Sequence, residues 1–96
     1  MTFIRTHSYS VAPDDLDEFL EHRASLIATI RASHTGLSEV RLVRLDDGTY
    51  TDAWHWDSLE QRDAALSAIA TFTDAPAAMA LTRDGSRSDG ETVDLR

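Results

Sequence analysis

The sequence predicts an α+β domain of the ferredoxin-like type, a four-stranded antiparallel sheet with two helices on one of its faces. Three observations predict it. The apolar residues alternate with the period of a strand, then of a helix, in the order β-α-β-β-α-β, which is the split βαβ arrangement. An Asp-Gly turn at Asp47-Gly48 lies between two β-rich runs, a strong short-range hairpin signal. And 96 residues suffice for one two-layer core but not for two, so residues 1–96 form a single domain.

The first strand is Phe3 to Val11. Phe3, Arg5, His7, Tyr9 and Val11 share one face, and the smaller Ile4, Thr6, Ser8 and Ser10 the other. Pro13 ends the strand and suits the first turn of a helix, where Asp14, Asp15, Asp17 and Glu18 complement the helix dipole. Leu16, Phe19, Leu20, Arg23, Ile27 and Ile30 follow the helical period, and Gly36 is expected to close that helix at the C′ position.

Residues 37–45 form the second strand, with aliphatic side chains on both faces. After the turn, Tyr50, Asp52, Trp54 and Trp56 recur at every second position, with Thr51, Ala53 and His55 between them. The bulky set needs the deep layer under the helices, together with His7 and Tyr9, and the small set is expected to face away. Asp57-Ser58-Leu59-Glu60 has the spacing of a helix start. Leu59, Arg62, Leu66, Ile69 and Phe72 or Thr73 mark the stripe of the second helix, broken near Asp74-Ala75-Pro76 and resuming over Ala77 to Arg83. Gly85 to Gly90 reads as a mobile loop and Glu91 to Arg96 as a short last strand. Two helices cover only one sheet face. The second strand would leave aliphatic side chains bare on the other, so a homodimer packing sheet on sheet is expected.

The composition narrows the function. No apolar run approaches the ~20 residues of a membrane span and no basic n-region opens the chain, which reads as a cytoplasmic protein. Cysteine, lysine and asparagine are absent. That removes disulfides, thiolate ligands, cysteine nucleophiles and Schiff-base lysines. A net charge of −8 argues against nucleic acid and anionic membrane as partners. The four histidines share no metal-ligand spacing, no phosphate-binding glycine loop occurs, and no Gly-x-Ser-x-Gly pattern is present. Neither a metal nor a cofactor is expected.

With His34-Thr35-Gly36-Leu37, Asp47-Gly48-x-Tyr50 and Trp56-Asp57-Ser58-Leu59-Glu60 in this element order, nearly the whole chain resembles the dimeric α+β-barrel proteins of the antibiotic biosynthesis monooxygenase type. The resemblance implies a homodimer with a pocket between sheet and helices in each subunit. The fold hosts oxygenases, isomerases, cyclases, haem-degrading enzymes and proteins without known activity. Haem-degrading members use an asparagine on the first strand and a tryptophan and histidine on the second helix. Here asparagine is absent and residues 58–83 hold neither Trp nor His. Members that oxygenate phenolic polyketides without a cofactor keep a tryptophan on the third strand, matched by Trp56. Where they carry an amide on the same face, this chain has Asp52, which donates no hydrogen bond when ionised.

Oxygenation without a cofactor needs an electron-rich phenol or enol, a base to ionise it and a dry site to stabilise the anion. His7, Asp52 and His22 are the candidate bases, with Trp56, Asp52 and His7 as the catalytic set. Arg5 or Arg41 would hold the anion and also pair with Asp52. Tyr9, Trp54, Trp56, Phe72 and Met79 would wall an aromatic substrate. The plainer reading makes the tryptophans core residues, His55 an interface residue and His34 a partner of the helix dipole. Two functions stand: a cofactor-independent monooxygenase acting on a small aromatic or polyketide-like molecule, with a cyclase or isomerase as its variant, or a non-catalytic dimeric ligand-binding domain.

Overall fold

A computed structural model describes residues 2–96. The elements are β1 (Phe3–Val11), a 3-10 turn at Pro13–Asp15, α1 (Leu16–Ser33), β2 (Leu37–Arg44), β3 (Tyr50–Trp56), α2 (Leu59–Ile69), α3 (Asp74–Met79) and β4 (Thr82–Glu91). The strands form one antiparallel sheet in the order β2-β3-β1-β4. This is the ferredoxin-like topology the sequence predicts, with the second helical region divided in two. Among the described residues no helix is long and apolar enough to cross a membrane.

β3 sets the layering. Its burial alternates residue by residue, with Tyr50, Asp52, Trp54 and Trp56 buried and Thr51, Ala53 and His55 half-buried on the opposite face. Trp54 and Trp56 join Leu26 and Ile30 of α1 and Ala65 of α2 in one core cluster. Tyr9, Val11, Phe19, Tyr50 and Ala78 make a second, under the N-terminal half of α1 and α3. The buried set thus faces the helices, as its bulk requires.

Turn and cap chemistry fixes the joints. In the β2–β3 hairpin Gly48 sits at φ 89° and the Asp47 carboxylate accepts from the Thr49 N–H at 2.9 Å. The α2 cap lies one residue later than the Asp57–Glu60 spacing suggests. Ser58 is the cap, its Oγ accepting from the Gln61 N–H at 3.1 Å, while the Gln61 side chain reaches back to it at 3.0 Å. α1 is capped by His34, so Gly36, at φ 95°, stands one position beyond C′. Its carbonyl accepts from the Asp57 N–H at 2.8 Å, tying the β2 entry to the β3 exit.

Further expectations need correction. Residues 85–90 are not a loop but the body of β4, and residues 92–96 form no strand. β4 has no apolar alternation because it is an exposed edge held by its ladder to β1 and by the Arg5–Asp89 ion pair. The helix break spans residues 70–73, Pro76 lies inside the first turn of α3, and α3 stops at Met79. Leu59 and Leu20 are exposed, and Leu26 takes the buried place on α1.

Candidate functional site

Antiparallel register carries the β3 pattern across the sheet in rows. On the helix-facing side one row reads Arg87, His7, Asp52, Leu42 from β4 to β2, and the next reads Asp89, Arg5, Trp54, Val40. α1 and α3 stand over these rows without filling the space beneath. They leave a cavity of about 670 Å³, within the range of small-molecule sites. Its inner wall holds Trp54, Trp56, Phe19 and Leu26. Exposed residues of α3 and β4, including Met79, Gly85 and Arg87, form its mouth. The two indoles stack with centroids 6.1 Å apart, and both indole N–H groups are buried without an acceptor among the described residues.

Asp52 is the buried acid of the site, 4% exposed, and both of its oxygens are engaged. Arg23 of α1 donates to it through Nε at 3.0 Å and Nη2 at 2.8 Å, and the Tyr9 hydroxyl donates at 2.8 Å. Burial and then the Asp52 charge push the Tyr9 phenol far up, so Tyr9 stays a donor. The partner expected for Asp52 was Arg5 or Arg41, and the structure corrects both. Arg5 makes a bidentate pair with Asp89 of β4, at 2.7 and 2.9 Å. Arg41 pairs in register with Ala53, so it projects from the opposite face, where it bonds Glu39 at 3.0 Å. Arg41 is no part of the cavity.

His7, beside Asp52 in the row, is half-buried and lines the cavity. Burial lowers its pKa first; Asp52 opposes that, and the Arg5 and Arg87 charges add to it. The imidazole is therefore neutral at neutral pH and able to accept a proton. His22 does not line the cavity. It bridges α1 and α3, 3.6 Å from Glu18 and 3.8 Å from Asp74. Phe72 packs behind the tryptophans in the core rather than on the cavity wall. Among the described residues no three His, Cys, Asp or Glu side chains are grouped to hold a metal.

Of the residues expected at the site, His7, Tyr9, Arg5, Asp52, Trp54, Trp56 and Met79 line the cavity together. Arg23 and Arg87 line it as well, beyond the residues the sequence pattern points to. For Arg23 a signal was present: an arginine on the apolar stripe of α1, four residues from Phe19, requires a buried acid opposite it.

No protein-family model matches the sequence, and no curated protein matches it. Solved structures do. A mutant of SnoaB, a cofactor-independent oxygenase from Streptomyces nogalater, superposes with a TM-score of 0.80 at 19% identity, over 98% of this chain and 95% of that one. A dimeric ferredoxin-like protein from an uncultured marine organism gives 0.74 at 14%, over 99% and 90%. A protein described as an antibiotic biosynthesis monooxygenase gives 0.66 at 17%, over 98% and 100%. The chain therefore has the ferredoxin-like α+β fold of the antibiotic-biosynthesis-monooxygenase structures.

Proposed function

We propose that this protein is a homodimer that binds a small, flat aromatic or enolic compound in the cavity and promotes its reaction with oxygen without flavin, haem or metal. The observation that carries the reading is the contrast within one row of the site. Asp52 has both carboxylate oxygens engaged by Tyr9 and Arg23, while the adjacent His7 is neutral and makes no side-chain hydrogen bond among the described residues in an aromatic-walled cavity. The fold likeness to a cofactor-independent oxygenase supports the reaction class.

In this reading His7 takes the phenolic or enolic proton. Trp56 and Trp54 wall the ring, and Asp52 acts by fixing Arg23 and Tyr9 rather than as the base. The substrate anion gives one electron to oxygen, and the radical pair closes to a peroxide at the activated carbon. The C–H bond at that carbon and the O–O bond then break, His7 returns its proton, and water leaves. The balance is CH2 plus O2 to C=O plus H2O. Water exclusion by the aromatic walls and a fixed positive field are what the protein adds.

The dimer reading rests on the other sheet face. Thr6, Thr51, Ala53 and His55 are small or half-buried there, Val43 is 41% exposed, and the helices lie on the opposite side. Small side chains allow close sheet-on-sheet approach. The engagement of Asp52 in a structural network also favours a second reading, a dimeric ligand-binding domain without catalysis.

Oxygen uptake by metal-free protein with an anthrone separates the two. Loss of a catalytic base costs about 10²–10⁴-fold, the drop expected for His7→Ala. If wild type and variant both match the uncatalysed autoxidation rate, the oxygenase reading is lost and the binding domain stands.

A further inference from the structure

Three arginines line the cavity, and they differ in one respect. Arg5 is held by Asp89 and Arg23 by Asp52, each by two hydrogen bonds to its carboxylate. Arg87 makes no ion pair and no side-chain hydrogen bond among the described residues, though it stands directly across the β1–β4 ladder from His7. The space beside it is open, since a Cβ added at Gly85, two residues away on the cavity rim, would meet nothing within 4 Å. A guanidinium presents a planar fork that matches a carboxylate, and two of the three at this cavity already hold one.

Resting on the aromatic-ligand reading above, we propose that Arg87 binds a carboxylate of the ligand, so that the cavity selects an aromatic acid, and that this acid group prepares His7 for proton transfer. The flat ring would lie against Trp54 and Trp56 with its acid group at the mouth. The second part follows from electrostatics. The free Arg87 charge disfavours protonation of His7, and a bound carboxylate cancels that charge. The ligand would then strengthen the base that ionises it. The net charge of −8 works against an anion at long range, so recognition depends on this local cation.

The chain's two tryptophans both line the cavity, which makes indole fluorescence a direct reporter. The test titrates anthraquinone-2-carboxylate and anthraquinone-2-carboxamide, neither of which reacts with oxygen, into wild type, Arg87→Gln and Arg87→Lys. Arg87 lies on an exposed edge strand, so its variants should fold normally. A charge-assisted contact at a part-exposed site predicts about a tenfold preference for the acid in wild type. The preference should vanish in Arg87→Gln with amide affinity unchanged, and Arg87→Lys should retain part of it. Titration of His7 by NMR should show its pKa rising when the acid binds and not when the amide binds. Equal affinity for both probes, or a preference that survives Arg87→Gln, overturns the inference while leaving the aromatic cavity intact. If neither probe binds, both readings fall. If the preference holds but anthrone oxygen uptake stays at the uncatalysed rate, the ligand class stands and the oxygenase reading alone is lost.

Discussion

Replacing Asp52 by alanine removes the acceptor of three hydrogen bonds at a position 4% exposed. It leaves the Arg23 guanidinium, whose side chain is 14% exposed, without a counter-charge, and the Tyr9 hydroxyl without an acceptor. Removing one partner of a buried ion pair costs about 3–5 kcal/mol, because the remaining charge stays desolvated. For a domain of this size the lower end lowers Tm by roughly 12 °C or more. It also moves a urea midpoint down by about 1 M or more. Urea unfolding followed by tryptophan fluorescence measures this directly. Replacing the whole network at once, with Tyr9→Phe, Arg23→Met and Asp52→Leu together, removes the orphaned charge as well as the pair. That variant should lie closer to wild type than Asp52→Ala alone. An Asp52→Ala protein within about 1 kcal/mol of wild type would refute the claim that the pair is desolvated and mutually dependent.

The remaining predictions concern pH, the cap and assembly. Because the folded His7 pKa is depressed, the unfolded chain binds a proton that the folded chain refuses; this histidine's contribution to stability is full above about pH 6.5 and declines as pH falls through and below that value. His7→Gln should flatten that part of the stability–pH curve, and an unchanged slope would contradict the burial argument. Arg87→Gln should raise the His7 pKa, read by NMR, since Arg87 is among the charges that lower it. Gly36→Ala places a Cβ on a residue at φ 95° and drives it into the Gln61 side chain, so stability should fall by about 1–2 kcal/mol in chemical denaturation. Sedimentation should show a dimer at micromolar concentration that Ala53→Glu disrupts, and a wild-type monomer would rule out the sheet-to-sheet interface.

Much of the site was legible because β3 is a central strand with one deep face. Period-two alternation then fixes which side chains meet the helices, and His7, Tyr9, Asp52, Trp54 and Trp56 all follow from it. β2 was harder to read. A register shift between Leu37 and Glu39 reverses its parity, so that Leu37, Val40 and Leu42 turn inward and Arg41 outward. No alternation reveals such a bulge in a strand with aliphatic residues on both faces. The body of β4 reads as a loop because Thr-Arg-Asp-Gly-Ser-Arg-Ser-Asp-Gly-Glu contains no apolar residue. Its strand state comes from pairing with β1, a contact that local sequence does not encode. Strand alternation points to neighbouring strands for the Asp52 partner, whereas a guanidinium long enough to descend from α1 supplies it.

The Arg5–Asp89 pair joins positions 84 residues apart, and the row through His7 and Arg87 spans a similar length of chain. During synthesis at about 5–20 residues per second, β1 appears first among these elements and β4 last. α1, β2, β3 and α2 can assemble around β1 in the meantime, but one edge of β1 then stays open to any other strand. The cavity lacks the β4 part of its mouth in that interval, and the His7 row lacks Arg87. A nascent chain of this protein can therefore hold much of its core before it encloses the cavity, and the mouth of the cavity is completed with β4.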